Sequence, residues 1–153
     1  MTLFDQRPIR PMLSTPGEPF DSDEYLFEPK WDGLRAILYV QNGRLEIQNR
    51  NLRDVTQGFP ELQQLSGTLD AKAVILDGEI VVLNKKGLPS FQFLQPRFGV
   101  TDTREAKTLA KTTPSTYVAF DLLHLNGKDV INHPVEERKR LLKSILTDGP
   151  YLL

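Results

Sequence analysis

The sequence predicts an α+β fold in which antiparallel strands are flanked by helices. Three observations lead there. Apolar runs at 34–40, 73–83 and 116–125 have the length and β-branched content of strands. Two of them adjoin Asn-Gly pairs, Asn42-Gly43 and Asn126-Gly127, the dipeptides that suit tight turns between antiparallel strands. Segments of helical spacing fall between and after the strands without the regular alternation of a parallel sheet.

Taken in chain order, residues 1–24 are rich in Pro, Asp and Ser and are expected to form an irregular arm laid over a domain. "LRAILYV" is apolar on both faces and suits a central strand. After the Asn42-Gly43 turn, "RLEIQNR" returns with Leu45 and Ile47 on one face and Arg44, Glu46 and Gln48 on the other. "FPELQQL" predicts a short helix, and "AVILDGEIVVLN" a long strand turned by "NKKG". Ser90 is placed to cap "FQFLQ", with Pro96 expected to stop it. "DTREAKTLAK" predicts a solvated helix, and "TYVAFDLLHLNGKDV" a third buried strand with its turn. "HPVEERKRLLKSIL" predicts an amphipathic helix with Val135, Leu141, Leu142 and Ile145 inward and "ERKRLLK" contributing its solvated face. "TDGPYLL" has the look of a further strand beginning, as though the chain were cut there.

Composition narrows the function. With 153 residues, 39% apolar and 25% charged, the chain is one domain or a large piece of one. A net charge of -1 gives no global sign of nucleic-acid binding, although one face can still concentrate cations. Cysteine is absent, which excludes disulfides, thiolate metal sites and a cysteine nucleophile. No segment resembles a signal peptide or membrane span, so a cytoplasmic protein without a membrane partner is expected.

The chemistry lies in charges that do not belong in strands. Period two puts Asp77 and Glu79 on one face with Ile75 and Val81. Carboxylates there need partners or a cation, or they cost several kcal/mol of desolvation. Gly78 between them allows a close approach to the backbone or a bulge. Asp121 raises the same question; a hydrogen-bonded structural acid is the plain alternative for each. Lys30 stands between Pro29 and Trp31 at the threshold of a strand, with Asp32 and Arg35 just behind; alone, it would be a strand-edge lysine paired with Asp32. Arg50 and Arg53 add cations or belong to a solvated loop, and Phe120 is an aromatic face or a core residue. His124 and His133 are isolated and neither is expected to be a ligand. Strand pairing can bring the three groups together. Guanidinium groups, carboxylates, an amine and an aromatic ring suit a nucleotide. No Gly-rich phosphate loop is present, which removes P-loop and Rossmann readings.

"KWDGLR", "LDGEIV" and "YVAFDLLHLNG", in this order and separation, resemble motifs I, III and IIIa of the covalent nucleotidyltransferases. Within that superfamily "RPMLSTPGEPFDSDEYLFEPKWDG" and "PSFQFLQPR" are most similar to bacterial ATP-dependent DNA ligases, including those of end-joining proteins. The resemblance covers nearly the whole chain. It implies part of an ATP-grasp-like adenylation domain, with ATP and Mg²⁺ as cofactors and nicked or broken double-stranded DNA as the partner of the full-length protein in repair. It implies that Lys30 is the adenylated nucleophile and that Glu28 contacts the adenine edge. Arg35 and Arg50 would contact the nucleotide, Arg50 at the ribose side. Glu79 would serve the ribose hydroxyl or the metal's water shell, Asp32 the lysine or a metal-bound water, and Phe120 would stack on adenine. Asp77 and Asp121 match the motifs with a structural role at least as fitting.

The family's motif IV glutamate, motif V lysine and oligonucleotide-binding domain have no counterpart in the sequence. Residues 1–153 are therefore expected to be a partial adenylation domain, slow to adenylate itself and unable to seal nicks alone, with its missing part or other repair proteins as further partners. RNA ligation or capping, and a non-catalytic nucleotide-binding module, remain alternative readings of the same motifs.

Overall fold

The computed structural model describes residues 1–147 and 149. Five strands, β1 (Leu34–Gln41), β2 (Arg44–Asn49), β3 (Ala73–Val82), β4 (Ser115–Leu125) and β5 (Lys128–Asp129), form one sheet in the order β2-β1-β3-β4-β5. Every neighbouring pair is antiparallel. Asn42 and Gly43 turn β1 into β2 with φ of 53° and 73°, and Asn126 and Gly127 turn β4 into β5 with φ of 46° and 90°. Positive φ at both turn positions matches the twist of the flanking strands, which is what the Asn-Gly pairs supply. The expected strand over 147–153 falls largely on 148 and 150–153, outside the described residues.

One face of the sheet carries the main core. Ala36, Leu38, Val40, Leu45, Ile47, Val74, Leu76, Ile80, Val82, Tyr117 and Leu122 pack there against Phe59, Leu62, Leu65, Leu94, Leu142 and Ile145. The helices supplying that cover are a 3₁₀ helix at Pro60–Gly67, α1 (Phe91–Leu94) and α3 (Val135–Ile145), while α2 (Thr103–Thr112) packs on the 3₁₀ segments. The other face holds a smaller cluster of Ile37, Tyr39 and Ile75, closed by Leu3 of the N-terminal arm. The arm is irregular as expected, apart from a 3₁₀ turn at Leu3–Gln6.

Several local expectations change. Gln48 is buried, because its side chain takes the Ile9 N–H at 2.9 Å and the Tyr39 hydroxyl at 2.7 Å. Ser90 precedes α1 without a side-chain cap, its carbonyl accepting instead from the amides of Phe93 and Leu94. The α-helix ends at Leu94, just before Pro96 as expected, and the chain continues into a 3₁₀ turn, Gln95–Arg97, in which Pro96 sits second. Asp102 caps α2, accepting from the amides of Arg104 and Glu105 at 2.7 and 2.9 Å. Val135, read as inward, is 40% exposed at the start of α3, leaving Leu142 and Ile145 as the buried stripe.

Candidate active site

The long strand β3 keeps its period. Arg35 of β1 lies opposite Glu79, Ile37 opposite Asp77, and Asp77 opposite Asp121 of β4. The charged residues therefore share the face that carries the small cluster. Between β3 and β4 the register slips: Gly78 pairs with Ala119 and Asp77 with Asp121, leaving Phe120 as the extra residue of a bulge. A bulge re-aims its side chain, and here the ring meets the Arg35 guanidinium at 4.6 Å.

Two glycines of the motifs have packing reasons. A Cβ on Gly78 would lie 2.3 Å from the Val118 carbonyl oxygen and 2.5 Å from the Tyr117 ring. Tyr117 crosses there, donating its hydroxyl to the Ala36 carbonyl at 3.1 Å. A Cβ on Gly33 would meet the Ile80 carbonyl oxygen at 2.2 Å, so only glycine lets the loop after Lys30 run against β3.

A cavity of about 480 Å³ opens at this end of the sheet. Glu28, Lys30, Arg35, Arg50, Glu79 and Phe120 all line it, together with Leu13, Ser14, Pro29 and Trp31. Those six are every residue the sequence assigned to the nucleotide. Asp32 is exposed and is not among the lining residues, and Arg53 lines a separate cavity with Phe59 and Arg97. Among the described residues no salt bridge joins Lys30 to Asp32.

Charge in the site is arranged by burial and by pairing. Burial pushes the Glu79 carboxyl up to about 6, opposed by Arg35, the Gly33 N–H and Lys30. Asp77 is also pushed up by burial, although Arg35 grips it bidentately at 2.6 and 2.8 Å. Burial works against the Arg35 charge, but Asp77 and Glu79 outweigh it and hold the guanidinium firmly protonated. Arg35 also donates to the Met12 carbonyl at 3.1 Å, so the arm is tied to the site. Asp121 is likewise engaged, receiving Arg138 of α3 at 2.8 and 3.0 Å.

The reading of "ERKRLLK" as a solvated face needs correction. Arg138 grips Asp121, and Lys139 is clasped between the Glu28 carboxylate and the Phe120 carbonyl. A signal was present for Arg138, which lies four and seven residues before Leu142 and Ile145 and hence on the inward stripe. His124 is buried, with Nδ1 2.6 Å from Asp129 and Nε2 accepting from the Gly127 N–H, and so serves the turn. His133 lies 3.1 Å from Glu137 on the first turn of α3.

No three His, Asp or Glu side chains cluster as a metal site among the described residues. The carboxylates of Glu28 and Glu79 line the cavity.

The family model described as ATP dependent DNA ligase domain matches residues 11–151. The chain belongs to that family. This ligase-domain chain is 33% identical over 154 residues to the multifunctional non-homologous end joining protein LigD of Mycolicibacterium smegmatis, covering 96% of itself and 19% of that protein. It is 35% identical over 147 residues to DNA ligase C of Mycobacterium tuberculosis, covering 96% of itself and 40% of the relative. It thus spans well under half the length of either relative. Among solved structures it is similar to a mycobacterial DNA ligase D complexed with ATP and MES, with a TM-score of 0.65 and 34% identity over 76% of this chain and 35% of that one. The ligase domain of M. tuberculosis LigD matches with a TM-score of 0.64 at 34% identity. The α+β fold expected from the sequence agrees with these ligase-domain structures.

Proposed function

We propose that residues 1–153 are the first part of a ligase adenylation domain, in which Lys30 accepts AMP from ATP on the way to sealing nicks in double-stranded DNA. One observation carries this reading: Lys30, Arg35, Glu79 and Phe120, from three sequence motifs, line a single cavity of about 480 Å³ with Glu28 and Arg50. The family match and the likeness to a DNA ligase D complexed with ATP support adenine nucleotide as the substrate.

Lys30 Nζ attacks the α-phosphorus in line once it has given up a proton. The new N–P bond forms as the bond to pyrophosphate breaks, and AMP remains as a phosphoramidate. In the whole protein it would pass to a 5′-phosphate, and a 3′-hydroxyl would then displace it. Phe120 offers its ring to the base and Glu28 its carboxylate to the exocyclic amine. Glu79, ionised above pH 6, accepts from a ribose hydroxyl. Arg35 sets positive charge beside the phosphates, where an oriented cation stabilises the charge that develops in transfer, and Arg50 contacts the ribose side. Glu79 would hold the water shell of a bound magnesium ion, which would supply positive charge to offset that of pyrophosphate.

The test is a mass measurement on Lys30 after long incubation with ATP and magnesium. A gain of one AMP, lost in Lys30→Ala and absent with GTP, is expected. The rate should fall about 10²-fold or more below that of an adenylation domain carrying the further cationic motifs. Labelling elsewhere, or none at any time, would refute the assignment.

A further inference from the structure

Between its ends at Met12 and Gly33, the loop that carries Lys30 makes few polar contacts with the rest of the molecule. From residue 13 to residue 32 there is no helix or strand, and Phe20, Tyr25, Leu26 and Phe27 are all exposed. The segment packs on itself, with the rings of Phe20 and Tyr25 5.0 Å apart and those of Phe20 and Phe27 5.5 Å apart. Its internal polar contact is local, from the Glu24 amide to the Ser22 hydroxyl at 3.1 Å. Among the described residues, its one hydrogen bond to another element is made by Glu28, to the ammonium of Lys139.

The same ammonium also donates to the backbone carbonyl of Phe120. One side chain on α3 therefore joins the two walls of the cavity: the loop bearing the nucleophile and the bulge bearing the aromatic ring. Lys139 itself stands on a firm base. Arg138 beside it is locked to Asp121 and to the His133 carbonyl, and Leu142 and Ile145 anchor the helix in the core.

We infer that Lys139 is a positioning residue, a latch that fixes the Lys30 loop against the Phe120 bulge. This rests on the proposal that Lys30 takes AMP, and it extends that proposal to a residue on α3 which lies outside the sequence motifs. The latch is partly exposed, with side-chain exposures of 25% for Lys139 and 50% for Glu28. Such a pair adds little to global stability and is weakened by salt. Its effect is local: misplacing a nucleophile by about 1 Å costs roughly 10²-fold in rate.

Trp31 follows Lys30 directly and is the chain's one tryptophan, so it reports on the loop without labelling. In Lys139→Met, acrylamide quenching of Trp31 should rise about twofold while the melting temperature moves by less than about 2 °C. Lys139→Arg, which keeps the charge and can donate to both oxygens, should restore quenching. The Arg variant is thus expected to quench at the low wild-type level, and about 1 M sodium chloride should raise quenching in the wild-type chain towards the Met variant and leave that variant unchanged. At saturating ATP, AMP uptake on Lys30 should fall about tenfold or more in the Met variant and recover in the Arg variant. Quenching that is identical in all three proteins would overturn the inference, as would equal loss in Met and Arg. If the Met variant loosens the loop but no protein takes AMP on Lys30, the latch stands and the functional proposal fails.

Discussion

Glu79 shows how a single residue carries both a cost and a use. Burial raises its carboxyl from the usual 4.5 to about 6, with Arg35, the Gly33 N–H and Lys30 recovering only part of the loss. Between those two values the folded chain keeps a proton that the unfolded chain has released. Stability from this group is therefore highest below pH 4.5 and declines as pH rises through about 6. Discounted for its partial exposure to solvent, the penalty above that range is about 1 kcal/mol. Glu79→Gln should be more stable than the parent by about that amount in urea unfolding at pH 8 and equal to it at pH 4, while losing AMP uptake. Equal stability at both values would refute the burial penalty. The period-two register made this face legible, since Asp77 and Glu79 fall in line with Ile75 and Val81. It could not say that Arg35 would be drawn onto Asp77 and over the Phe120 ring, because partners across strands depend on register, and the bulge at Phe120 shifts it.

Between elements, the most buried ion pair among the described residues lies outside the cavity lining. Arg97, 1% exposed, pairs with Glu61 at 2.7 and 3.0 Å and donates to the carbonyls of Gly58 and Thr113. Its guanidinium also lies 4.9 Å from the Phe59 ring centre. Glu61 accepts in turn from the amide and hydroxyl of Ser115, so one pair ties the 3₁₀ helix, the Gln95–Arg97 turn and the start of β4. Burial opposes charge on Glu61, but Arg97 and Ser115 outweigh it and bring its carboxyl below the usual 4.5. The stability this supplies is present above that value and is lost as pH falls through the lower folded value. Arg97→Met leaves a buried carboxylate without its cation and should cost about 3–5 kcal/mol, read by urea unfolding at pH 7. A loss below about 1 kcal/mol would show that water reaches the pair. This link was not legible. "FPELQQL" and "FQFLQPR" were readable as short helical pieces, yet nothing in either spacing says that Glu61 and Arg97 point at each other.

At the scale of the whole molecule the sheet has two unlike faces, and the difference explains where function sits. The helices close one face with a continuous apolar core, which the sequence displayed as long apolar runs and helical stripes. The other face is half apolar and half charged: Ile37, Tyr39 and Ile75 at one end, the cavity residues at the other. Among the described residues the irregular arm covers the apolar end, and its path was not legible because no periodicity governs it. Polar anchors fasten the arm alongside the burial of Leu3 and the partial burial of Phe4 and Ile9. Both Asp129 carboxylate oxygens accept the Leu3 N–H at 3.1 Å, Gln48 and Tyr39 hold Ile9, and Arg7 pairs with Glu46 at 2.8 Å. Asp129→Ala should therefore release the arm before it unfolds the sheet. Hydrogen exchange at the Leu3 and Ile9 amides should rise about tenfold or more, while amides of β1 and β3 keep their protection. If all of these amides lose protection together, the arm is part of the core's cooperative unit rather than a strap laid over it.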